Sequence, residues 1–416
     1  MNSNADELFD LKLQLANEFL RNGGTEGIYD VGLLQDLIDF NRHDEITHTS
    51  RLKAFINAIF MMNITPPPVL LDNNMNEYKS FVQKDIFFDQ IKIDTEEQIN
   101  ELFDRYKDTK DYIFRGQREA AWRLYNTIQR SWIFNKYEGK HDYVSTLKKM
   151  AEVCLKNHKE DIKNIIEKSH VDTFNDLALL GFLQHHGCPT PLLDWTSNFY
   201  NALFFATDGV IENTAVKEIA DYVSIYFLHN ENIEPGGAAS VIDYALKEES
   251  KDIKSKLIAM VAKDEKQRLE MEEHFKDRDF FDRTKIEGSG LVSHMCKIEN
   301  MVSIPTGIMY YRDNFDYEGI AFSLLNSENI KAQHGAFIWN SSSFKPLEVV
   351  AFEAFEKESG SGSYKFCECY NINKKLVPYI HKKLIDLGIK KEIIYPDEEI
   401  DTKNIFSESI CELEKK

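Results

Sequence analysis

The chain has 416 residues, of which 43% are hydrophobic and 29% charged, and its 50 Lys and Arg against 69 Asp and Glu give a net charge of −19. A chain of that length holds roughly two to three domains at about 150 residues each, and it buries a sizeable core without disulfides or structural metal. The acidity opposes non-specific binding to nucleic acid, which works by neutralising phosphates, and the six cysteines are too few for a disulfide scaffold.

The start, MNSNADELFDLKL, is acidic and lacks the basic-then-apolar order of a signal peptide. No stretch approaches the roughly 18 apolar residues of a membrane span. A cytoplasmic protein with no membrane partner is the expectation.

Leu8, Leu11, Leu15 and Phe19 recur at helical spacing over 5–22, and two further helical runs follow before the three prolines of TPPP break the pattern at 65–68. Residues 1–64 therefore read as a helical N-terminal unit suited to a protein partner, and 65–94 as a connecting segment with one short ordered stretch. DTEEQINELFDRYKD reads as a helix with a polar start and an acidic first turn. The strand DYIFRGQ follows it, and residues 143–168 are helical again. TFNDLALLGFLQHHG reads as a helix closed by Gly187. PTPLLDW is extended, because its prolines exclude helix. SNFYNALFFATDG reads as a helix capped by Thr196 or Ser197, and ADYVSIYFLH as a strand.

A charged helical insertion occupies the region near 240–300. Strands are expected at HGAFIW and SYKFCECYNI, with the Gly/Ser stretch 357–365 as a hairpin connection. Cys367 and Cys369 read as alternating thiols on a strand, since C-x-C suits neither a redox pair nor a zinc knuckle. A last helix, KKLVPYIHKKLIDLG, precedes a C-terminal tail at 406–416. The mixture is α+β, a mixed sheet with surrounding helices.

Three groups of residues carry chemistry. Arg115, Gly116 and Gln117 end the strand DYIFRGQ. Arg offers a planar fork of donors suited to phosphate or carboxylate, and Gly116 permits close approach. The alternative is a buried Arg paired with a carboxylate such as Asp194. The second group is Gln184-His185-His186-Gly187-Cys188-Pro189-Thr190 with Asp194-Trp195-Thr196, polar groups between apolar runs that need partners. Adjacent histidines on a helix point about 100° apart and chelate poorly, so no metal is expected; one histidine suits acid or base work. The third is Gln333-His334-Gly335, opening a late strand. No P-loop, nucleophile elbow, dinucleotide fingerprint or kinase signature is present.

These segments resemble the FRG domain family, named for a Phe-Arg-Gly motif. The resemblance lies in YIFRGQREAAWRLYNTIQRSW, LALLGFLQHHGCPTPLLDWTSNFYNALFFAT, IKAQHGAFIW and the closing IIYPDEE, and it places an FRG domain over residues 95–405. Pro191 stands where the family usually has Arg, and TIQRSW where it tends to have Pro-Ser-Leu. The resemblance implies a bacterial or phage-associated protein and fixes no reaction.

The order of motifs also looks like the ADP-ribosyltransferase fold. In that analogy Arg115, Gly116, Gln117 and Trp195 would hold NAD, used as a substrate. Arg115, His185, His186, Asp194, Thr196 and Gln333 would form the catalytic set, with Thr196 and Gln333 at the second-strand and late-strand positions. Three readings follow. The first is an NAD-utilising transferase or NAD glycohydrolase of bacterial or phage conflict. The second is a non-enzymatic module that senses a nucleotide or protein segment. The third is a metal-independent hydrolase or nuclease built on His185 or His186 with Asp194.

Overall fold

The computed structural model describes residues 77–168, 175–210, 218–233, 258–274, 296–304, 306–312, 326–359, 364–396 and 400–415, with a few isolated positions between them. The helical N-terminal unit at 1–64 lies outside the described residues.

A one-turn helix α1 (Phe81–Lys84) leads into β1 (Phe88–Ile93). Helix α2 (Glu96–Arg105) begins at a capping box, in which Thr95 accepts from the Gln98 N–H and the Gln98 side chain reaches back to the Thr95 N–H. Next come β2 (Tyr112–Gln117), α3 (Thr127–Phe134), α4 (Tyr143–Lys168) and α5 (Asp176–His185). Gly187, at φ +85°, ends α5 in a backbone conformation that side chains disfavour. β3 (Leu192–Thr196) runs into α6 (Phe199–Thr207), and β4 (Tyr222–His229) follows.

Helix α7 (Glu265–His274), within the expected insertion, has no buried residue. The chain continues through β5 (Ile308–Tyr311), α8 (Glu328–Ala332), β6 (Gly335–Asn340), α9 (Leu347–Ser359) and β7 (Cys367–Asn373). Helices α10 (Val377–Asp386), α11 (Lys391–Ile394) and α12 (Ile405–Glu414) complete it.

The strands form one mixed seven-stranded sheet in the order β1-β7-β4-β2-β3-β6-β5. β1 and β7 are parallel, and every other pair is antiparallel. β2 pairs with β4 from Tyr112 to Gln117, and β3 with β6 from Leu192 to Thr196. β2 and β3, by contrast, meet only at Phe114 opposite Thr196. The sheet is thus a four-stranded part and a three-stranded part joined at a narrow seam.

Side chains alternate between the faces. On one face Phe114, Ile225 and Tyr370 pack beneath α2, α6 and α10. The same face of the three-stranded part carries Leu192, Phe337 and Trp339, covered by α4, α5 and α12. The opposite face is continuous across the seam, with Ile113, Trp195, Tyr226 and Ile338 beneath Leu347 and Ala351 of α9.

The structure departs from the sequence expectations at five places. β1 falls inside the segment read as a connection, where Phe88 and Ile93 are buried and every residue from Phe88 to Ile93 pairs with β7. The cap of α6 is Asn198, whose side chain accepts from the N–H groups of Tyr200 and Asn201, rather than Thr196 or Ser197. The Gly/Ser stretch joins helix α9 to β7 and is not a hairpin connection. β5 was not anticipated. The C-terminal tail is helix α12, which forms because Ile405, Phe406 and Ile410 fall on one face and bury in the core.

Candidate functional site

The seam is where the polar motifs converge. A cavity of about 290 Å³ is lined there by Phe114, Arg115, Gly116 and Arg118 from the end of β2 and by Gln184 and His185 from the end of α5. Asp194, Trp195 and Thr196 of β3, Phe205 of α6, the segment Gln333 to Phe337 without His334, and Tyr395 complete the lining. The volume falls just below the range of small-molecule sites, about 300–1,000 Å³.

Gly116 sets how closely the elements approach. A Cβ built there would lie 2.1 Å from the Ala202 carbonyl oxygen and 2.7 Å from the Ala206 nitrogen. Helix α6 therefore lies directly on β2, and only glycine fits.

Arg115 fills the place of a missing ladder contact. Continuing the register from Phe114 and Thr196 puts Arg115 beside Trp195 and Gly116 beside Asp194, so the Cβ atoms of Arg115 and Asp194 start on opposite faces. The strands have already parted, and the Arg115 side chain reaches across, with Nη1 donating to the Asp194 carbonyl oxygen at 2.6 Å. The expected ion pair with a carboxylate is thus replaced by a bond to backbone. Burial draws the Arg115 guanidinium down to about 10, with the Asp194 charge opposing that shift and Arg130 adding to it. It stays cationic at neutral pH.

The Asp194 carboxylate faces the cavity side and is held from behind. Its Oδ2 accepts from Gln184 Nε2 at 2.8 Å. The Gln184 amide is itself oriented, since its Oε1 accepts from the Thr190 hydroxyl. Asp194 Oδ1 and Arg115 Nε are buried and have no hydrogen-bond partner among the described residues. An acceptor and a donor of opposite charge are thereby left unmatched at the seam, an arrangement that costs free energy unless a ligand or water completes it. Arg118 stands at the rim, 3.6 Å from Asp208, with its side chain half exposed. Burial also lowers Arg130, which the Asp194 charge attracts. Two of these arginines, Arg115 and Arg118, line the cavity against one lining carboxylate, Asp194, a balance that favours an anion.

Seven of the nine residues singled out in the sequence line this cavity: Arg115, Gly116, His185, Asp194, Trp195, Thr196 and Gln333. The other two do not. His186 ends α5 with its ring centroid 4.6 Å from that of Phe182 and its carbonyl accepting from Thr402 Oγ1 at 2.8 Å. Gln117 is buried two residues beyond Arg115 on β2, outside the lining, donating to the Arg123 carbonyl at 3.4 Å.

Thr196 and Gln333 clasp each other. Thr196 Oγ1 donates to the Gln333 carbonyl at 2.6 Å and accepts from the Asn198 N–H at 3.0 Å. Gln333 does not open a strand: it ends α8, two residues before β6, and its amide donates to the Ile394 carbonyl at 3.1 Å. Arg118, Phe205, Phe337 and Tyr395 were missed as site residues, and Gln184 was read within its motif without a role of its own. Gln184 adjoins the His-His pair, and its polarity between apolar residues was the available signal. Among the described residues, no three His, Cys, Asp or Glu side chains group as metal ligands, and no helix is long and apolar enough to cross a membrane.

Residues 110–214 match the family model of the FRG domain. The chain therefore contains an FRG domain over that span. The matched span runs from β2 through α6 and supplies Arg115, Gly116, Gln184, His185, Asp194 and Thr196, whereas Gln333 and Tyr395 lie beyond it. Comparisons with curated proteins and with solved structures returned no match.

Proposed function

We propose that the seam cavity binds a nucleotide of the NAD and ADP-ribose class, and that the protein consumes NAD in bacterial or phage conflict by ADP-ribosyl transfer or NAD hydrolysis. The observation that carries this reading is the unmatched pair at the seam: Arg115 Nε and Asp194 Oδ1, both buried, beside aromatic walls from Phe205, Phe337 and Tyr395. A guanidinium takes a phosphate, a carboxylate takes hydroxyls, and aromatic faces take a base. With the Gln333 amide engaged by Ile394, Asp194 is the carboxylate left to stabilise positive charge developing on a ribose.

A second reading, a nucleotide sensor without turnover, draws support from the Thr196–Gln333 clasp, which commits both residues to structure. The hydrolase reading keeps His185, which lines the cavity with Asp194, and loses His186, which lies outside the lining.

Calorimetric titration of the full chain with NAD and ADP-ribose, alongside a nicotinamide-release assay, separates these readings. Binding with release supports the enzyme, and binding without release supports the sensor. No binding at millimolar ligand by the folded protein overturns both nucleotide readings.

A further inference from the structure

We infer that Asp194 reads the sugar of the bound nucleotide, so that the cavity selects a ribose with free 2′ and 3′ hydroxyls; this rests on the nucleotide reading above. Asp194 Oδ1 is buried, has no partner among the described residues, and belongs to a side chain that lines the cavity. Its sister oxygen Oδ2 is occupied by Gln184 Nε2 at 2.8 Å, and Gln184 is fixed in turn by Thr190. The carboxylate cannot rotate to satisfy Oδ1 without giving up that bond. The cavity therefore presents one oriented acceptor, which calls for a donor that a bound ligand can supply in place of water.

The kind of donor follows from the position of the anion contact. Arg115 Nη1 rests on the carbonyl oxygen of Asp194 itself, at 2.6 Å, so the cationic group and the acceptor lie within the reach of one residue. In a nucleotide the groups that close to a phosphate are the hydroxyls of the attached sugar; the polar edge of the base lies beyond the sugar. The aromatic residues Phe205 and Tyr395 also line the cavity and provide the surface for a base. Phosphate at Arg115, ribose hydroxyl at Asp194 and base among the aromatic rings is the assignment that leaves no buried polar atom of the pair unmatched. Gln184 acts here as a positioning residue, since it touches Asp194 and sets which oxygen faces the ligand.

The test uses the full chain with NAD and with two NAD analogues, each lacking the 2′ and 3′ hydroxyls of one of the two riboses, measured by calorimetry. One of the two analogues should bind about 10- to 150-fold more weakly than NAD, the loss of a hydrogen bond to a charged group. In Asp194→Ala, shown folded by circular dichroism, that analogue and NAD should bind within about threefold of each other, because the acceptor is gone. If both analogues bind wild type as tightly as NAD, the sugar assignment is overturned while the nucleotide reading stands. If Asp194→Ala keeps the full discrimination, another group reads the sugar and the assignment to Asp194 is overturned. If NAD itself does not bind, the reading beneath the inference fails and the inference with it. The wild-type comparison needs no variant, so misfolding of Asp194→Ala leaves it decisive.

Discussion

Arg115 and Asp194 meet through side chain and backbone, guanidinium to carbonyl at 2.6 Å, while the Asp194 carboxylate is engaged elsewhere by Gln184. A salt bridge would have neutralised both charges. This geometry keeps the cation and the carboxylate separately available while still bracing the seam. On the nucleotide reading Arg115 would serve structure and ligand at once, so a substitution there has to be read on both.

Arg115→Ala should weaken nucleotide binding by roughly 1.5–3 kcal/mol, about 10- to 150-fold, the worth of a charge-assisted contact. Arg115→Lys should fall between wild type and Ala, because a point charge replaces a planar fork. Calorimetry on both variants, with thermal unfolding as the control, checks the order. A Lys variant that binds as wild type would show that charge alone suffices.

Gly116→Ala should prevent normal folding. The added methyl would meet backbone atoms of α6 at 2.1 Å and 2.7 Å, and neither can move without shifting the helix. The cost should reach or exceed the upper part of the overpacking range, about 3 kcal/mol. The fall in the urea midpoint, or the loss of soluble protein, measures it. A stable Gly116→Ala protein would mean that α6 does not lie on β2 as described.

Gln333→Glu should destabilise the fold and should not enhance NAD turnover. The Gln333 amide is the donor to the Ile394 carbonyl, and a carboxylate would set two acceptors against each other. A loss of about 1–3 kcal/mol is expected for a buried acceptor left unsatisfied. Denaturant unfolding at neutral pH measures the loss, and nicotinamide release, assayed in parallel, should not rise.

Glu348 gives a pH-dependent term. Burial holds its carboxyl above the ordinary 4.5, against the opposing pull of the Tyr78 hydroxyl, Arg123 and the Leu124 N–H. The Tyr78 hydroxyl donates to it at 2.5 Å, the Leu124 N–H at 3.2 Å, and Arg123 lies 4.0 Å away. A proton held more tightly in the folded chain than in the unfolded one stabilises the fold at low pH. That stability is complete below about 4.5 and is lost as pH rises through the folded value. Unfolding free energies of wild type minus Glu348→Gln, taken from about pH 4 to 7, should therefore decline with rising pH. A difference that climbs instead would mean that Arg123 and Tyr78 outweigh burial.

Much of the sheet could be read from residues alone. DYIFRGQ and ADYVSIYFLH became β2 and β4 because aromatic and β-branched side chains suit a pleated surface buried on both faces. Helix α5 was legible from its apolar run and the glycine that ends it. β5 escaped because IMYY is only four residues long and gains its identity from pairing with β6. The cavity lining was legible at seven positions, Arg115, Asp194 and His185 among them. Gln117 and His186 were misplaced because sequence proximity to a motif does not say whether a side chain reaches the cavity or is engaged elsewhere, as Gln117 is by the Arg123 carbonyl. The narrow seam itself has no sequence signal, since it reflects which strand pairs form and which stop after one residue.

A sheet joined in its middle by the single pair Phe114 and Thr196 has an uneven distribution of protection against amide exchange. Within each part, amides lie in ladders that open only when several strands separate together. At the seam there is no such cooperativity, and the Arg115 side chain, bonded to the Asp194 carbonyl, carries what the ladder does not. Amides of β3 that face β2 should therefore exchange faster than those that face β6, within the same five-residue strand. A ligand that bridges the two parts would slow the first set and leave the second unchanged, so exchange measured residue by residue along Leu192–Thr196 would reveal occupancy even of a ligand that is never turned over.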